Sequence, residues 1–245
     1  MSLPLSSAVA ESLDVLDEAG STNAVLVERA RAGTEPEFSV VVTTNQTAGR
    51  GRLGRTWVAP PGKTIAVSVL LTPPNSEKLS WLPLVAGLAM TRAVRSLVTG
   101  HPVTLKWPND VQVDGLKVSG LLAELVPGAG VVIGAGLNLT MDESELPTPV
   151  STSLTLVGAS ADDLVDRALA AYLGELKGLY SGMLAGSDIR ALVEAECSTI
   201  GRSVRVELPG GDNLYGTATG IDGEGRLIVD GRAIAAGDVT HLRYE

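Results

Sequence analysis

The residues from Phe38 to Arg55, FSVVVTTNQTAGRGRLGR, decide between two architectures. Phe38 to Thr44 is short and rich in β-branched residues, the pattern of a buried strand. Gly49, Gly51 and Gly54 then match G-x-G-x-x-G. In a doubly wound dinucleotide fold that fingerprint ends a strand and opens a helix. Here no helix can open, because Arg55-Thr56-Trp57 leads into Pro60-Pro61-Gly62. The segment from Asn45 to Gly62 is therefore a long loop carrying Arg50, Arg52 and Arg55. Glycine lets backbone approach a ligand closely, and the guanidinium fork matches carboxylate or phosphate oxygens. Arginines interleaved with glycine are costly to order without an anion, so the loop is expected to settle over an anionic ligand; a solvated surface loop is the alternative.

Upstream, Ser21-Thr22-Asn23 reads as an N-cap for a helix from Ala24 to Ala32, closed by Gly33. Downstream, Ile65 to Leu71 is a strand, and Ser80 is placed to cap a helix reaching Leu97 with Pro83 in its first turn. Val103 to Trp107 is a short strand broken by Pro108. Asp114-Gly115 has the sequence of a two-residue hairpin turn joining Val111–Val113 to Lys117–Val126. Val131 to Leu139 adds the third strand of a meander. Asp162 to Met183 and Ile189 to Cys197 read as helices. After Gly201 the rhythm changes to short strands: Ser203–Leu208, Leu214–Ile221, Arg226–Val229, Ala233–Ala235 and Val239–Arg243. Such close spacing points to a small barrel. The expectation is an α+β fold, with a mixed sheet and flanking helices over residues 1–198 and an all-β domain over 199–245.

Composition narrows the function. A chain of 245 residues with 44% hydrophobic and 19% charged residues is globular, which excludes a disordered chain. One cysteine, Cys197, and two histidines, His101 and His241, exclude a disulfide framework and make a soft-ligand metal centre implausible. His101 reads as a loop residue and Cys197 as a buried apolar one. A net charge of −9 argues against DNA, RNA or an anionic membrane binding the whole surface, and leaves room for a local basic site. Met1 to Ala10 lacks a targeting pattern, and Leu79 to Leu97 is interrupted by Arg92 and Arg95, so a cytoplasmic protein is expected.

Three further constellations carry chemistry. Lys106-Trp107-Pro108-Asn109-Asp110 places a lysine, an amide and a carboxylate at a strand tip, where lysine can neutralise phosphate charge and aspartate can hold Mg²⁺ or accept a hydrogen bond. Read alone, a capped turn with a surface lysine is the lesser alternative. Lys117 lies two residues past the hairpin turn and is expected to point over the sheet toward Lys106; an edge-strand lysine is the alternative. Gly134-Ala135-Gly136-Leu137-Asn138 ends an apolar strand in small residues and one amide, a turn residue or a reader of a ligand edge. Gly62-Lys63-Thr64 is no P-loop, since Trp57 stands where the motif needs glycine.

Together these motifs resemble the biotin protein ligase family. Ser21-Thr22-Asn23, Gln46, Gly49 to Arg55 with Trp57, Lys106 to Asp110, Lys117 with Gly120, and Gly134 to Asn138 stand in that family's order and spacing, and the resemblance covers essentially the whole chain. It implies a catalytic domain like that of class II aminoacyl-tRNA synthetases and an SH3-like C-terminal barrel. It implies that MgATP and biotin are substrates, with no tightly bound prosthetic group. Biotinoyl-5′-AMP and pyrophosphate form first, and a lysine of a biotin carboxyl-carrier protein then takes the biotin. Ser21, Thr22, Asn23 and Gln46 would meet the biotin head, with Gly49 and Gly120 beside it. Arg50, Gly51 and Arg52 would close over biotin and adenylate. Arg52, Arg55, Lys106 and Asn109 would serve the nucleotide, with Trp57 supporting the loop and Asn138 meeting adenine. Lys117 would contact the biotin carboxylate and the acyl-phosphate oxygens. Asp110 is a candidate Mg²⁺ or acceptor-lysine contact. Bifunctional members carry an N-terminal DNA-binding domain, for which the 20 residues before Ser21 leave no room, so the monofunctional class is expected. Two other readings are a lipoate ligase, which shares the fold but not this motif set, and an RNA-binding module built on the Arg-Gly loop. The acidic charge and sparse aromatics disfavour the second.

Overall fold

The computed structural model describes residues 1–57 and 59–242. In chain order the elements are α1 (Pro4–Ser7), β1 (Ser12–Leu16), α2 (Thr22–Arg31), β2 (Ser39–Thr43), β3 (Gly49–Arg50), β4 (Thr56–Trp57), β5 (Thr64–Leu71), α3 (Leu82–Leu97), β6 (Val103–Lys106), β7 (Asp110–Val113), β8 (Leu116–Val126), β9 (Gly130–Asn138), α4 (Leu164–Leu184) and α5 (Ile189–Glu196). Five short strands follow: β10 (Ser203–Glu207), β11 (Asn213–Ile221), β12 (Leu227–Val229), β13 (Arg232–Ile234) and β14 (Asp238–His241).

Seven strands form a mixed sheet in the order β1-β2-β5-β9-β8-β7-β6. β1 runs parallel to β2, and the remaining neighbours are antiparallel. Side chains alternate across a strand, so each strand offers two faces. One face carries Ile65, Val67, Val69, Ile133 and Leu137, which pack beneath α3 and α4 in the main core. The other face is apolar at one end only, where Val41, Leu70, Val126 and Val132 meet Leu26, Val27 and Ala30 of α2. Beyond that end it carries Ala66, Ser68, Gly120, Gly134 and Gly136, too small to fill the space. A cleft results.

The second sheet is antiparallel, in the order β13-β12-β11-β10-β14, and forms the expected small SH3-like unit. It is seated on the first unit by two indoles: Trp81 Nε1 donates to Gly223 O (2.9 Å) and Trp107 Nε1 to Gly225 O (3.2 Å). Ser198 N donates to Leu105 O (2.8 Å), and Thr199 Oγ1 accepts from Trp107 N and meets His241 Nε2 (both 3.1 Å). These contacts hold the start of β14 beside the cleft.

Element boundaries depart from expectation where local turns intervene. Ser80 caps no helix: Ser76–Trp81 already winds as a 3-10 turn, and α3 begins after it at Leu82. Asp163 lies in the left-handed region (φ 48°), so α4 starts at Leu164 and not at Asp162. The long loop contains an unforeseen two-stranded hairpin, β3 with β4, spanning a 3-10 turn at Arg52–Gly54. The Asp114-Gly115 turn is as expected, with positive φ at both residues (52° and 78°). The strand end at Arg243 lies outside the described residues. Among the described residues no helix is long and apolar enough to cross a membrane.

Candidate active site

The cleft has a volume of about 380 Å³, within the usual range for small-molecule sites. At one end stands the N-terminus of α2. Ser21 caps it, its hydroxyl accepting from Ala24 N (3.4 Å). Gln46 Oε1 accepts from Thr22 N (3.0 Å) and Thr22 Oγ1 (3.3 Å), leaving its amide nitrogen over the cleft side of Gly49. Ser68 Oγ donates to Asn23 Oδ1 (2.6 Å) and lies 2.8 Å from Thr22 Oγ1. Asn23 Nδ2 donates to Glu124 Oε1 (2.8 Å) and Leu122 O (3.3 Å). Ser68 and Glu124 were not foreseen. Ser68 is a polar residue inside an apolar strand, the one local signal that could have flagged it.

The middle of the cleft is built by β6 to β8. Pairing places Asp110 between Lys106 and Gly120. A register shift between Val111 and Gln112 puts Ser119 opposite Val111 and Lys117 opposite Gln112, leaving Val118 unpaired. Such a bulge re-aims the neighbouring side chain. It turns Lys117 onto the cleft face, where its Nζ ends 2.6 Å from Asp110 Oδ1. Asp110 is paired opposite Lys106, so the two lysines share the cleft lining with this carboxylate between them. Asn109 Nδ2 donates to Leu121 O (2.6 Å), which fixes the Lys106–Asp110 turn to the sheet. Asn138, buried at the end of β9, donates to Thr152 O (2.9 Å), and its buried Oδ1 has no hydrogen-bond partner among the described residues.

The arginine loop roofs the cleft. Arg50 pairs with Glu124 (3.0 Å). Arg52 Nη1 donates to Asn109 Oδ1 (3.2 Å) and Gly237 O (3.4 Å). Burial lowers the Arg52 pKa, opposed by the charges of Asp110 and Asp238. Arg55 donates to Asp238, whose hydrogen bond and charge raise the Arg55 pKa. The indole of Trp57 lies on the glycine floor: a methyl group on Gly136 would stand 2.5 Å from its Cε2, and one on Gly120 3.4 Å from its Cζ3. Trp57 Nε1 is buried and has no hydrogen-bond partner among the described residues. Gly49 must be glycine, since a Cβ would stand 2.5 Å from both Gln46 Nε2 and Trp57 O.

Every residue given a binding or catalytic role from sequence lines this one cleft except Gly49. The lining holds five cationic side chains (Arg50, Arg52, Arg55, Lys106, Lys117) and two carboxylates (Asp110, Asp238) in a chain of net charge −9. Gly237 to Thr240 of the second sheet line it as well and had no signature in the sequence. Asp110 is committed to Lys117, and among the described residues no group of three or more potential metal ligands is found. Away from the cleft, His101 pairs with Asp114 (2.6 Å), and Cys197 is buried, which pushes its thiol pKa up.

Comparison with known proteins agrees with this geometry. Residues 16–138 match the Biotin/lipoate A/B protein ligase family, and residues 199–242 match the biotin protein ligase C-terminal domain. The chain is 42% identical over 240 residues to the biotin–[acetyl-CoA-carboxylase] ligase of Mycobacterium tuberculosis, covering 94% of this chain and 89% of that one. A second such ligase, from Paracoccus denitrificans, is 32% identical over 205 residues, covering 79% and 84%. A biotin protein ligase from Aquifex aeolicus, solved in complex with biotin and ATP, superposes with a TM-score of 0.79 at 28% identity, covering 96% of this chain and 100% of that one. A mixed sheet with a glycine-floored cationic cleft, a C-terminal barrel at its rim and these matches lead to one conclusion: the chain belongs to the biotin/lipoate protein ligase family and is a biotin ligase.

Proposed function

We propose that the chain joins biotin to protein in two steps, through biotinoyl-5′-AMP, with residues 1–198 as catalytic unit and residues 199–245 closing its rim. The observation that carries the reading is the convergence of five cations on one cleft whose lining, among the described residues, holds no cysteine and no histidine to activate its serines. Acyl adenylation needs that arrangement. A carboxylate oxygen attacks the α-phosphorus of ATP, and the bond to pyrophosphate breaks. Two anions must therefore be brought within attack distance, and fixed cations in a partly dry site offset their repulsion. In the second step a neutral lysine amine attacks the anhydride carbonyl, AMP leaves, and the amine loses a proton.

The roles are those the family resemblance implies, and the lining of the cleft supports them. Ser21, Thr22, Asn23, Gln46 and the floor at Gly120 receive the biotin head. Lys117 meets the biotin carboxylate and then the acyl-phosphate oxygens. Lys106 and Arg52 face the phosphates, with Arg55 closing the roof. Trp57 bounds the nucleotide end, and the unpaired Oδ1 of Asn138 is an acceptor suited to an adenine amine. Asp110 is the carboxylate best placed to meet the incoming lysine or a Mg²⁺ carried by ATP, which would neutralise phosphate charge there. The acceptor is assigned as the biotin carboxyl-carrier domain of an acyl-CoA carboxylase, since the M. tuberculosis and P. denitrificans relatives are named for acetyl-CoA carboxylase. The acidic surface argues against DNA or a membrane as partner, and the reaction is assigned to the cytoplasm. Biotin-dependent exchange of pyrophosphate into ATP tests the first step. Exchange that requires lipoate, or needs no carboxylic acid, would refute it.

A further inference from the structure

We infer that Glu124 is a positioning residue that sets the polarity of the head-group end of the cleft and couples it to the roof; this rests on the biotin reading above. Glu124 belongs to the same face of β8 as Gly120 and Leu122, one alternation beyond the cleft lining and one before Val126 in the α2 contact. Its Oε1 accepts two bonds, from Asn23 Nδ2 (2.8 Å) and from Arg50 Nη2 (3.0 Å). One end of this pair is buried, since Asn23 is 4% exposed. The other end belongs to the arginine loop.

An ionised carboxylate can only accept. It therefore compels Asn23 to turn its amide nitrogen outward, and the Leu122 carbonyl acts in the same sense. The Asn23 carbonyl oxygen then lies over Gly134, where any side chain would overlap it. That oxygen has two lone pairs, and Ser68 Oγ occupies one at 2.6 Å. The second is left as an acceptor on the cleft floor, matched to an N–H of a cyclic urea. Were the asparagine reversed, an NH₂ group would face the same N–H. Hydrogen bonding by a buried group is costly to leave unmade, so the orientation discriminates. The same carboxylate draws Arg50 down, which links an ordered head-group site to a closed roof.

Glu124→Gln keeps the shape and weakens the constraint to the longer bond to the Leu122 carbonyl, because a glutamine amide can flip together with Asn23. The expected result is a KM for biotin raised roughly tenfold in pyrophosphate exchange, which corresponds to about 1.4 kcal/mol. The rate at saturating biotin stays within about threefold, and release of adenylate per turnover rises. Glu124→Asp keeps the charge and should recover part of the biotin KM. A folded Gln variant with biotin KM within twofold of wild type overturns the inference, as does a lowered rate with unchanged KM, the mark of a merely structural role. Should the Gln variant fail to fold, Glu124→Ala, which removes the acceptor outright, is read by the same two measures: a biotin KM within twofold of wild type with wild-type adenylate release would overturn the inference. A wild-type protein that shows no biotin-dependent exchange would instead sink the biotin reading itself.

Discussion

Gly136→Ala isolates the contact between the glycine floor and the roof. The position lies in β9, paired with Gly120 and Ala66, and its backbone is ordinary strand that alanine adopts without strain. The added methyl would stand 2.5 Å from Trp57 Cε2, 2.6 Å from Cζ2 and 3.0 Å from Cδ2. Ordinary carbon contacts lie near 3.5–4.0 Å, so the indole must retreat by roughly 1 Å. Overpacking a fixed core costs about 1–3 kcal/mol, but Trp57 belongs to the short β3–β4 hairpin, which can lift with little loss elsewhere. The thermal midpoint should therefore change by only a few degrees. The cost falls on the site, because the hairpin that moves carries Arg50, Arg52 and Arg55. A displacement of about 1 Å in groups that orient reactants lowers rates by up to roughly 100-fold. The assay is biotin-dependent pyrophosphate exchange at varied ATP, with urea unfolding as the control. Exchange within twofold of wild type in a stable Ala variant would refute the account of Trp57 as the contact that sets the height of the arginine loop over the glycine floor.

The remaining expectations concern charge. Lys117→Ala should slow adenylate formation in single turnover by about 100- to 1000-fold, or 3–4 kcal/mol, because it removes a cation aimed at developing negative charge; a drop below tenfold would contradict the role. Asp238→Asn releases Arg55 from a half-exposed ion pair worth about 0.2–1 kcal/mol, so biotinylation of a bystander protein per adenylate formed should rise by roughly 1.5- to 5-fold. Arg52→Ala should leak more than Asp238→Asn, since Arg52 holds both Asn109 and Gly237; equal labelling by mutant and wild type would remove it from adenylate retention. His241 has its pKa lowered from 6.5 to about 4 by burial, with Lys106 and Arg202 adding to the effect. The unfolded chain then binds this proton more readily than the folded one, so the stability of neutral His241 is fully present above pH 6.5 and is lost as pH falls toward 4. His241→Gln should flatten that part of the stability profile, measured by urea midpoints at pH 7 and pH 5, and an unchanged difference would exclude His241 as the group.

What the sequence by itself determined is the chemistry that sits in short runs. The arginine loop after β2, the Lys106–Asp110 turn, the cap at Ser21 and the Asp114-Gly115 hairpin are each readable because their geometry arises from neighbours in the chain. Tertiary structure alone decided how these pieces are aimed. Lys117 faces Asp110 because a bulge opposite Val111 turns it, and a bulge depends on the partner strand. Asn23 is oriented by Ser68 and Glu124, which come from two other strands. The roof is fastened by Gly237 and Asp238, more than 180 residues from the arginines they hold. Those partners are single ordinary residues whose spacing carries no period, and only the packing of β14 beside the cleft, through Trp81 and Trp107, brings them within reach.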